Sequence, residues 1–491
     1  MTARLSNAAL AQLPPGVARP CYDRATVTPG IVHLGLGAFH RAHQAVMTEA
    51  VLNDGVRDWG IVAASLRSPD TRNALAPQDG LYTVATRESD SEALQVVGAL
   101  GAMHVAPDDP DGLLASMVDP RVRIVSLTVT EKGYCQDSAT GTLDEAHPDI
   151  LHDLASPQRP RTAPGFIVEA LWRRRVAGDA SFTVLCCDNL PANGETVRRV
   201  VTRLALLRDP ALGAWVHDAV AFPSTMVDRI VPATTEEDRA RVAATLGVTD
   251  AWPVVGERFS QWVIEDRFPT GRPDWAIAGA TFTSDVAPFE FMKLRMLNGA
   301  HSALAYLGYM AGHETVAEAA SDPVFETFLR GLWAEIAPSV PPPPGVDLDA
   351  YAAGLLARFR NRALRHRTWQ IAMDGSQKLP QRLLGPLRAG LAAGRPVRHV
   401  VHAIAGWMRY VAGPDERGAA IDVRDPLLVL LREAAAPGLA EPRLVASRLL
   451  ELRAVFGDDL AADGALRNAF QDALESLVRQ GCRASLQALV A

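Results

Sequence analysis

Three polar residues stand in one helix-like stretch, FMKLRMLNGAHSALAYLG: Lys293, Asn298 and His301. On an ideal α-helix, Asn298 lies about 140° and His301 about 80° around the axis from Lys293. All three then share one broad face about 12 Å long. A lysine, an amide and an imidazole that converge suit an alcohol or a carbonyl. A neutral lysine takes the hydroxyl proton as a hydride leaves, an amide N–H steadies the developing oxyanion, and an imidazole orients the substrate. The competing reading is a helix that turns three polar residues to solvent. The Asn298-Gly299 pair argues against it. Glycine in mid-helix costs about 1 kcal/mol, so something other than propensity keeps the pair there.

Lysine usage sharpens the point. Of 49 basic residues three are lysines, Lys132, Lys293 and Lys378, and the rest are arginines. A guanidinium stays protonated at any working pH, whereas an ammonium can be tuned by burial to lose its proton. Lysines retained against such a bias are candidates for places where arginine will not do.

These residues need a scaffold, and the first half of the chain supplies its signs. Residues 30–37 read GIVHLGLG, an apolar run that meets Gly35 and Gly37 and then a helix-like stretch, AFHRAHQAVMTEAVLNDG. That is the strand–turn–helix opening of a dinucleotide-binding unit, with His40 where the usual fingerprint has its third glycine. A second strand, WGIVAASL, follows at one crossover's distance, and YTVATR, RIVSLTVT and SFTVLCCDN read as further strands. DGLLASMV and FIVEALWRRRVA read as helices between them. The alternation predicts a largely parallel sheet flanked by helices. His40 and Arg41, at the start of the first helix, are placed to hold a cofactor pyrophosphate. At the end of the second strand, SLRSPDTR, Asp70 suits the ribose hydroxyls of NAD and Arg67 a 2′-phosphate, so NAD is expected without excluding NADP.

From about residue 285 strand signals nearly vanish and long helical stretches follow. The expected fold is an α/β Rossmann-type NAD(P)-binding domain over residues 1–285 and a mainly α-helical substrate and catalytic domain over 286–491.

Net charge is −7, which disfavours an electrostatically driven nucleic-acid binder. No apolar run reaches the roughly 20 residues that span a bilayer, and the N-terminus lacks a signal-peptide pattern. A cytoplasmic protein is expected. Five cysteines, none in a C-x-x-C pair, are too few for a disulfide framework. The pairs His40/His43 and His399/His402 have no cysteine or acidic partner nearby, so no metal site is expected.

The motifs GLGAFHRAHQ, TVTEKGY, CDNLPANG, FPSTMVDRIVPATT, QWVIED, KLRMLNGAHS and IAMDGSQKLPQR, in that order, resemble the mannitol dehydrogenase family of polyol-specific long-chain dehydrogenases. The resemblance runs from about residue 30 to 430. It implies a zinc-independent, NAD(P)-linked interconversion of a secondary alcohol and a ketone in an acyclic polyol or sugar acid. By this resemblance Lys293 is the general base, and Asn189 and Asn298 hold the reacting oxygen. His301 orients the substrate, and Glu131 lies on a proton path from the lysine to water. Asp228 and Lys378 line the substrate pocket.

Two branches of the family come into question, one acting on mannitol and fructose, the other on the analogous six-carbon sugar acid. PSTMVDRIVPAT, QWVIED, HRTWQIAMDGSQKLPQR and WMRYVAG resemble the sugar-acid branch, the fructuronate reductases. A phosphorylated polyol would need a further cation cluster. A binding protein without catalysis would not need the Lys293, Asn298, His301 and Asn189 set. The resemblance implies a monomer or a loose dimer with a small-molecule substrate.

Overall fold

The computed structural model describes residues 3–137 and 141–491. The chain divides into two compact units, Met1–Ala287 and Pro288–Ala491.

In the first unit the strands run β1 (Pro29–Leu34), β2 (Gly60–Ser65), β3 (Tyr82–Arg87), β4 (Glu92–Val97), β5 (Leu100–Val105) and β6 (Ile124–Leu127). They continue as β7 (Thr183–Cys186), β8 (Thr225–Asp228), β9 (Val254–Glu257), β10 (Gln261–Glu265) and β11 (Thr281–Thr283). Five of them form a parallel sheet in the order β5-β2-β1-β6-β7. Strand order reverses between β1 and β6, and a crevice opens beyond the carboxyl ends of strands at such a switch point. The apolar runs of β1, β6 and β7 follow from burial on both faces. Ile31, Ile124 and Leu185 pack on one side with Trp262 and Trp275, while Val32, Val125 and Val184 pack on the other with Phe166 and Ile167. That division is the period-two alternation of a strand.

Two sequence expectations need correction. The stretch YTVATR is β3, but it lies outside the parallel sheet. It pairs antiparallel with β4 and parallel with β9. β4 and β5 themselves carry exposed residues, Glu92 and Ala93 in one and Gly101 and Ala102 in the other, which masks their alternation. Secondly, the helix expected after Gly37 is broken. It runs Ala38–Ala42, turns at His43 (φ −125°, ψ −89°), and resumes as Gln44–Asn53.

The resumed helix carries a buried carboxylate. Tyr22 Oη (2.9 Å) and the Gly98 N–H (2.8 Å) both donate to Glu49 Oε2. Burial pushes this carboxyl up to about 7. A raised carboxyl holds its proton more tightly in the folded state. Its stabilisation is complete below the unfolded value and is lost as pH rises through about 7. Glu49→Gln keeps the one acceptor oxygen that both donors use and removes the charge. The melting temperature of the unaltered protein should therefore fall from pH 5 to 8 more steeply than that of Glu49→Gln, by the equivalent of about 2–3 kcal/mol. Parallel melting curves against pH would refute it.

The second unit is helical, with no strand among the described residues. Phe325, Phe328, Leu329, Leu332 and Ile336 form the buried stripe of the helix Pro323–Ile336, at the three- and four-residue spacing of an amphipathic helix. Among the described residues no helix is long and apolar enough to cross a membrane.

Candidate active site

A cleft of about 960 Å³ opens at the carboxyl ends of β1, β2, β5 and β6. Gly35 and Gly37 line its floor, with Thr128 and Thr130 beside them and Arg67 and Ser68 after β2. Gly35 has φ +101°, and a Cβ there would stand 2.1 Å from the Thr128 carbonyl oxygen. Only glycine meets both conditions. The result is a cradle in which backbone, free of side chains, faces the cleft. Such a floor at a switch point fits a dinucleotide.

His40 and Arg41 do not belong to this lining. His40 lies flat against His33 of β1, ring centroids 3.5 Å apart and 11° between planes. The fingerprint's third glycine permits close helix–strand packing; here two stacked imidazoles occupy that contact. His33 is tied to Ser126 Oγ (2.8 Å) and Thr128 Oγ1 (2.9 Å), so the stack braces the switch point from below. Burial drives the His33 imidazole down to about 3 and His40 well below its ordinary range, which keeps the pair neutral. Arg41 is buried, donates to the Trp252 carbonyl and lies over the Tyr82 ring. Asp70 opens the helix Asp70–Leu75 and is exposed, while Arg67, Ser68 and Thr71 line the cleft. His147, His152, Arg159 and Arg161 also line it. They come from a connection distant in sequence, with no motif to mark it. Lys132 is a lining residue as well.

Three further residues of this unit sit on mutually bonded segments. Glu131 is exposed and starts a turn, Glu131–Tyr134, after β6. Asn189 is exposed just after β7. Asp228 ends β8 and is 4 % exposed. Asn193 joins the last two segments: its Nδ2 donates to the carbonyls of Cys186 (3.2 Å), Asp188 (3.1 Å) and Thr225 (3.0 Å), and its Oδ1 accepts from the Thr225 N–H (2.9 Å). Asn193 stands in the motif CDNLPANG, but nothing local in the sequence sets it apart as a link between two strands.

In the second unit, Lys293–Asn298 is a turn of π-helix, followed by α-helix over Gly299–Ala303. The Gly299 N–H bonds back to the Leu294 carbonyl, five residues earlier. The 140° separation drawn for an α-helix therefore does not apply. With i→i+5 bonding, Asn298 stands about one turn above Lys293. Trp333 Nε1 donates to the Met296 carbonyl at 3.0 Å, which satisfies a group in the widened turn. Gly299 is explained too: a Cβ there would lie 3.0 Å from the Arg382 carbonyl oxygen. The glycine lets this helix approach a second π-turn, Pro380–Leu384.

Lys293 and His301 are each 7 % exposed. Burial above all, with the nearby Arg358 and Arg382 guanidiniums adding to it, holds His301 well below its ordinary range. His301 is therefore a neutral imidazole, and its Nε2 has no hydrogen-bond partner within the protein. Its ring stands 4.5 Å from Phe359 and 5.4 Å from His366. His366 is a further site residue that no sequence signal singles out, although it opens the stretch HRTWQIAMDGSQKLPQR. Lys378 Nζ donates to the carbonyls of Ile371 (3.2 Å) and Met373, so it also braces its own loop. Among the described residues no three of His, Cys, Asp and Glu cluster so as to hold a metal ion.

A lysine and an amide on one widened turn, with a neutral imidazole on the helix that follows it, suit proton transfer at an alcohol or carbonyl oxygen. Against known proteins, the family model described as Mannitol dehydrogenase Rossmann domain matches residues 29–277, and that described as Mannitol dehydrogenase C-terminal domain matches residues 285–478. The chain is 49 % identical to the D-mannonate oxidoreductase of Escherichia coli K12, over 96 % of this chain and 98 % of the relative. It is 39 % identical to a mannitol 2-dehydrogenase of Pyricularia oryzae, over 98 % and 97 %. A solved structure of the Pseudomonas fluorescens mannitol 2-dehydrogenase, a ternary complex with NAD and D-mannitol, matches with a TM-score of 0.89 at 39 % identity, covering 99 % of both chains.

Proposed function

The chain belongs to the mannitol dehydrogenase family, and from that premise we propose that it is an NAD-dependent oxidoreductase of a sugar acid, interconverting D-mannonate and fructuronate. The observation that carries the chemistry is the buried Lys293–Asn298 π-turn with neutral His301 beside it. When bound, the nicotinamide supplies the hydride acceptor for oxidation and the donor for reduction.

The residues of the chain handle everything else. Lys293 Nζ removes the hydroxyl proton during oxidation and returns it during reduction. The amides of Asn298 and Asn189 donate to the reacting oxygen as negative charge builds on it. His301 fixes the orientation of a neighbouring hydroxyl. Glu131 relays the proton to water, and Asp228 and Lys378 shape the substrate pocket. Gly35 and Gly37 accommodate the dinucleotide, with Asp70, Arg67 and Ser68 after β2 at its adenosine end.

A carboxylate substrate is supported by the cations near His301. Arg382 Nη1 donates to Ser302 Oγ at 3.2 Å, one residue from His301, and Arg358 adds charge from the helix Leu348–Phe359. Arg295, by contrast, donates to the Ser339 carbonyl and stacks over Phe291. The second reading, mannitol and fructose, rests on the relatives of that name.

A panel of fructuronate, tagaturonate, fructose and fructose 6-phosphate, each with NADH and NADPH, separates these readings. Fructuronate with NADH is expected to give a kcat/KM at least ~10-fold above every other pair. Preference for fructose would transfer the protein to the mannitol branch, and no turnover of any ketone would defeat the proposal. All five cysteines are free thiols, which supports a reducing, cytoplasmic setting. We place the active species as a monomer or a loose dimer, with no nucleic-acid or membrane partner.

A further inference from the structure

Between β6 and β7 the chain holds one strained residue. Thr130 has φ 65° and ψ 165°. That region is essentially reserved for glycine, and a β-branched residue there is an outlier. It stands between Val129, at the cleft, and Glu131. The turn after it is equally tight: Gly133 donates to the Thr130 carbonyl at 2.9 Å, and a Cβ on Gly133 would come within 2.8 Å of Val129.

The groups that hold Thr130 come from the neighbouring strand's end. Asp188 Oδ1 accepts from the Thr130 N–H at 3.1 Å, and Oδ2 accepts from the Val129 N–H at 2.8 Å. Tyr134 Oη, four residues further along the same turn, also donates to Oδ2, at 2.7 Å. One carboxylate therefore grips the turn at three points. Asp188 is itself immobilised through its backbone, since its carbonyl accepts from Asn193 Nδ2. Burial raises the Asp188 carboxyl above its ordinary range, against the opposing pull of its three donors and in concert with the nearby Glu131 charge.

We infer that Asp188 is a positioning residue: it holds Thr130 in a glycine-like conformation and so sets Glu131, on one strand end, in register with Asn189, its own neighbour on the next. The inference rests on the reading of Glu131 and Asn189 given above. It assigns no contact between Asp188 and substrate. Strained backbone survives only where its surroundings over-determine it, and it clusters at functional sites. Here the over-determining group is a carboxylate whose two oxygens meet two successive N–H groups.

An amide at this position offers one acceptor oxygen instead of two and turns an NH₂ toward N–H donors. Asp188→Asn should release the turn. If the effect passes through Thr130, it must depend on the residue at 130, because glycine adopts φ 65° without strain. The test is a four-protein cycle: unaltered, Asp188→Asn, Thr130→Gly and the double variant. The measurements are kcat for ketone reduction, NADH affinity by fluorescence, and the melting temperature of the protein without cofactor. Asp188→Asn alone should lower kcat by at least ~10-fold and weaken NADH binding; in the Thr130→Gly background the loss should shrink to less than ~3-fold, with coupling of the same sign in melting temperature. A loss of the same size in both backgrounds, in either kcat or melting temperature, overturns the inference. Should Asp188→Asn fail to fold, Tyr134→Phe carries the same comparison, since it removes one of the carboxylate's three donors and leaves Thr130 in place. Failure of the functional reading shows differently, as absence of turnover by the unaltered protein, and the melting and NADH-binding cycles do not depend on it.

Discussion

Lys293→Ala is expected to slow alcohol oxidation and ketone reduction by at least ~100-fold, with the melting temperature nearly unchanged. Lys293→Arg should be almost as slow. A guanidinium remains protonated at working pH and cannot accept a proton from the alcohol. The pH profile carries the sign of the argument. Oxidation needs the neutral amine and should rise with pH; reduction needs the ammonium and should fall over the same interval. Both slopes should vanish in Lys293→Ala. Steady-state rates of each direction from pH 6 to 10 decide it. A Lys293→Arg enzyme that oxidises at a near-native rate with an unchanged profile would leave Lys293 as a mere positive charge, and Glu131 or water would have to carry the proton.

The second large effect concerns the floor of the dinucleotide cleft. Gly35→Ala places a Cβ 2.1 Å from the Thr128 carbonyl oxygen at a backbone φ of +101°. Both β1 and β6 would have to part at the switch point to relieve it. The expected cost is at least ~2 kcal/mol of stability, with NADH binding lost. Gly37→Ala is the informative contrast. Gly37 has φ −98°, and its nearest neighbour to an added Cβ is the Gly35 carbonyl at 3.8 Å. Its stability, read from thermal melting, should stay within ~0.5 kcal/mol of that of the unaltered protein. Equal destabilisation of the two variants by thermal melting would show that the close approach at Gly35 is not what shapes the cradle.

These two sites also show how far the sequence could be read. GIVHLGLG announced strand, turn and cradle, because apolar runs buried on both sheet faces and glycines at forced dihedrals leave a plain local record. The pattern after them predicts a continuous helix, yet the helix breaks at His43, and Arg41 points to Trp252, more than two hundred residues on. No local pattern encodes a contact of that range. β3 looked like a strand of the parallel sheet because propensity says nothing about the partner, which is β4 on one side and β9 on the other. In the second unit, residue types at Lys293, Asn298 and His301 were legible, but their geometry was not. The π-turn depends on Trp333 reaching the Met296 carbonyl and on Gly299 admitting Arg382. Those are tertiary contacts, and an arithmetic of 3.6 residues per turn cannot anticipate them. Asn298-Gly299 did carry a trace of it, as a glycine out of place by propensity. His366 and Asn193 left no such trace: a single histidine between arginines and one more asparagine in a turn look ordinary until the fold assembles their neighbours.

The measurement closest to the central claim follows a labelled hydride. NADH deuterated at both nicotinamide C4 positions is incubated with fructuronate and the protein, and the sugar acid is recovered for mass spectrometry. The account predicts mannonate with one deuterium on the new carbinol carbon, formed in step with NADH consumption and reduced at least ~100-fold by Lys293→Ala. NADH consumption with no deuterium in the sugar acid, or label transfer that survives Lys293→Ala undiminished, would contradict it.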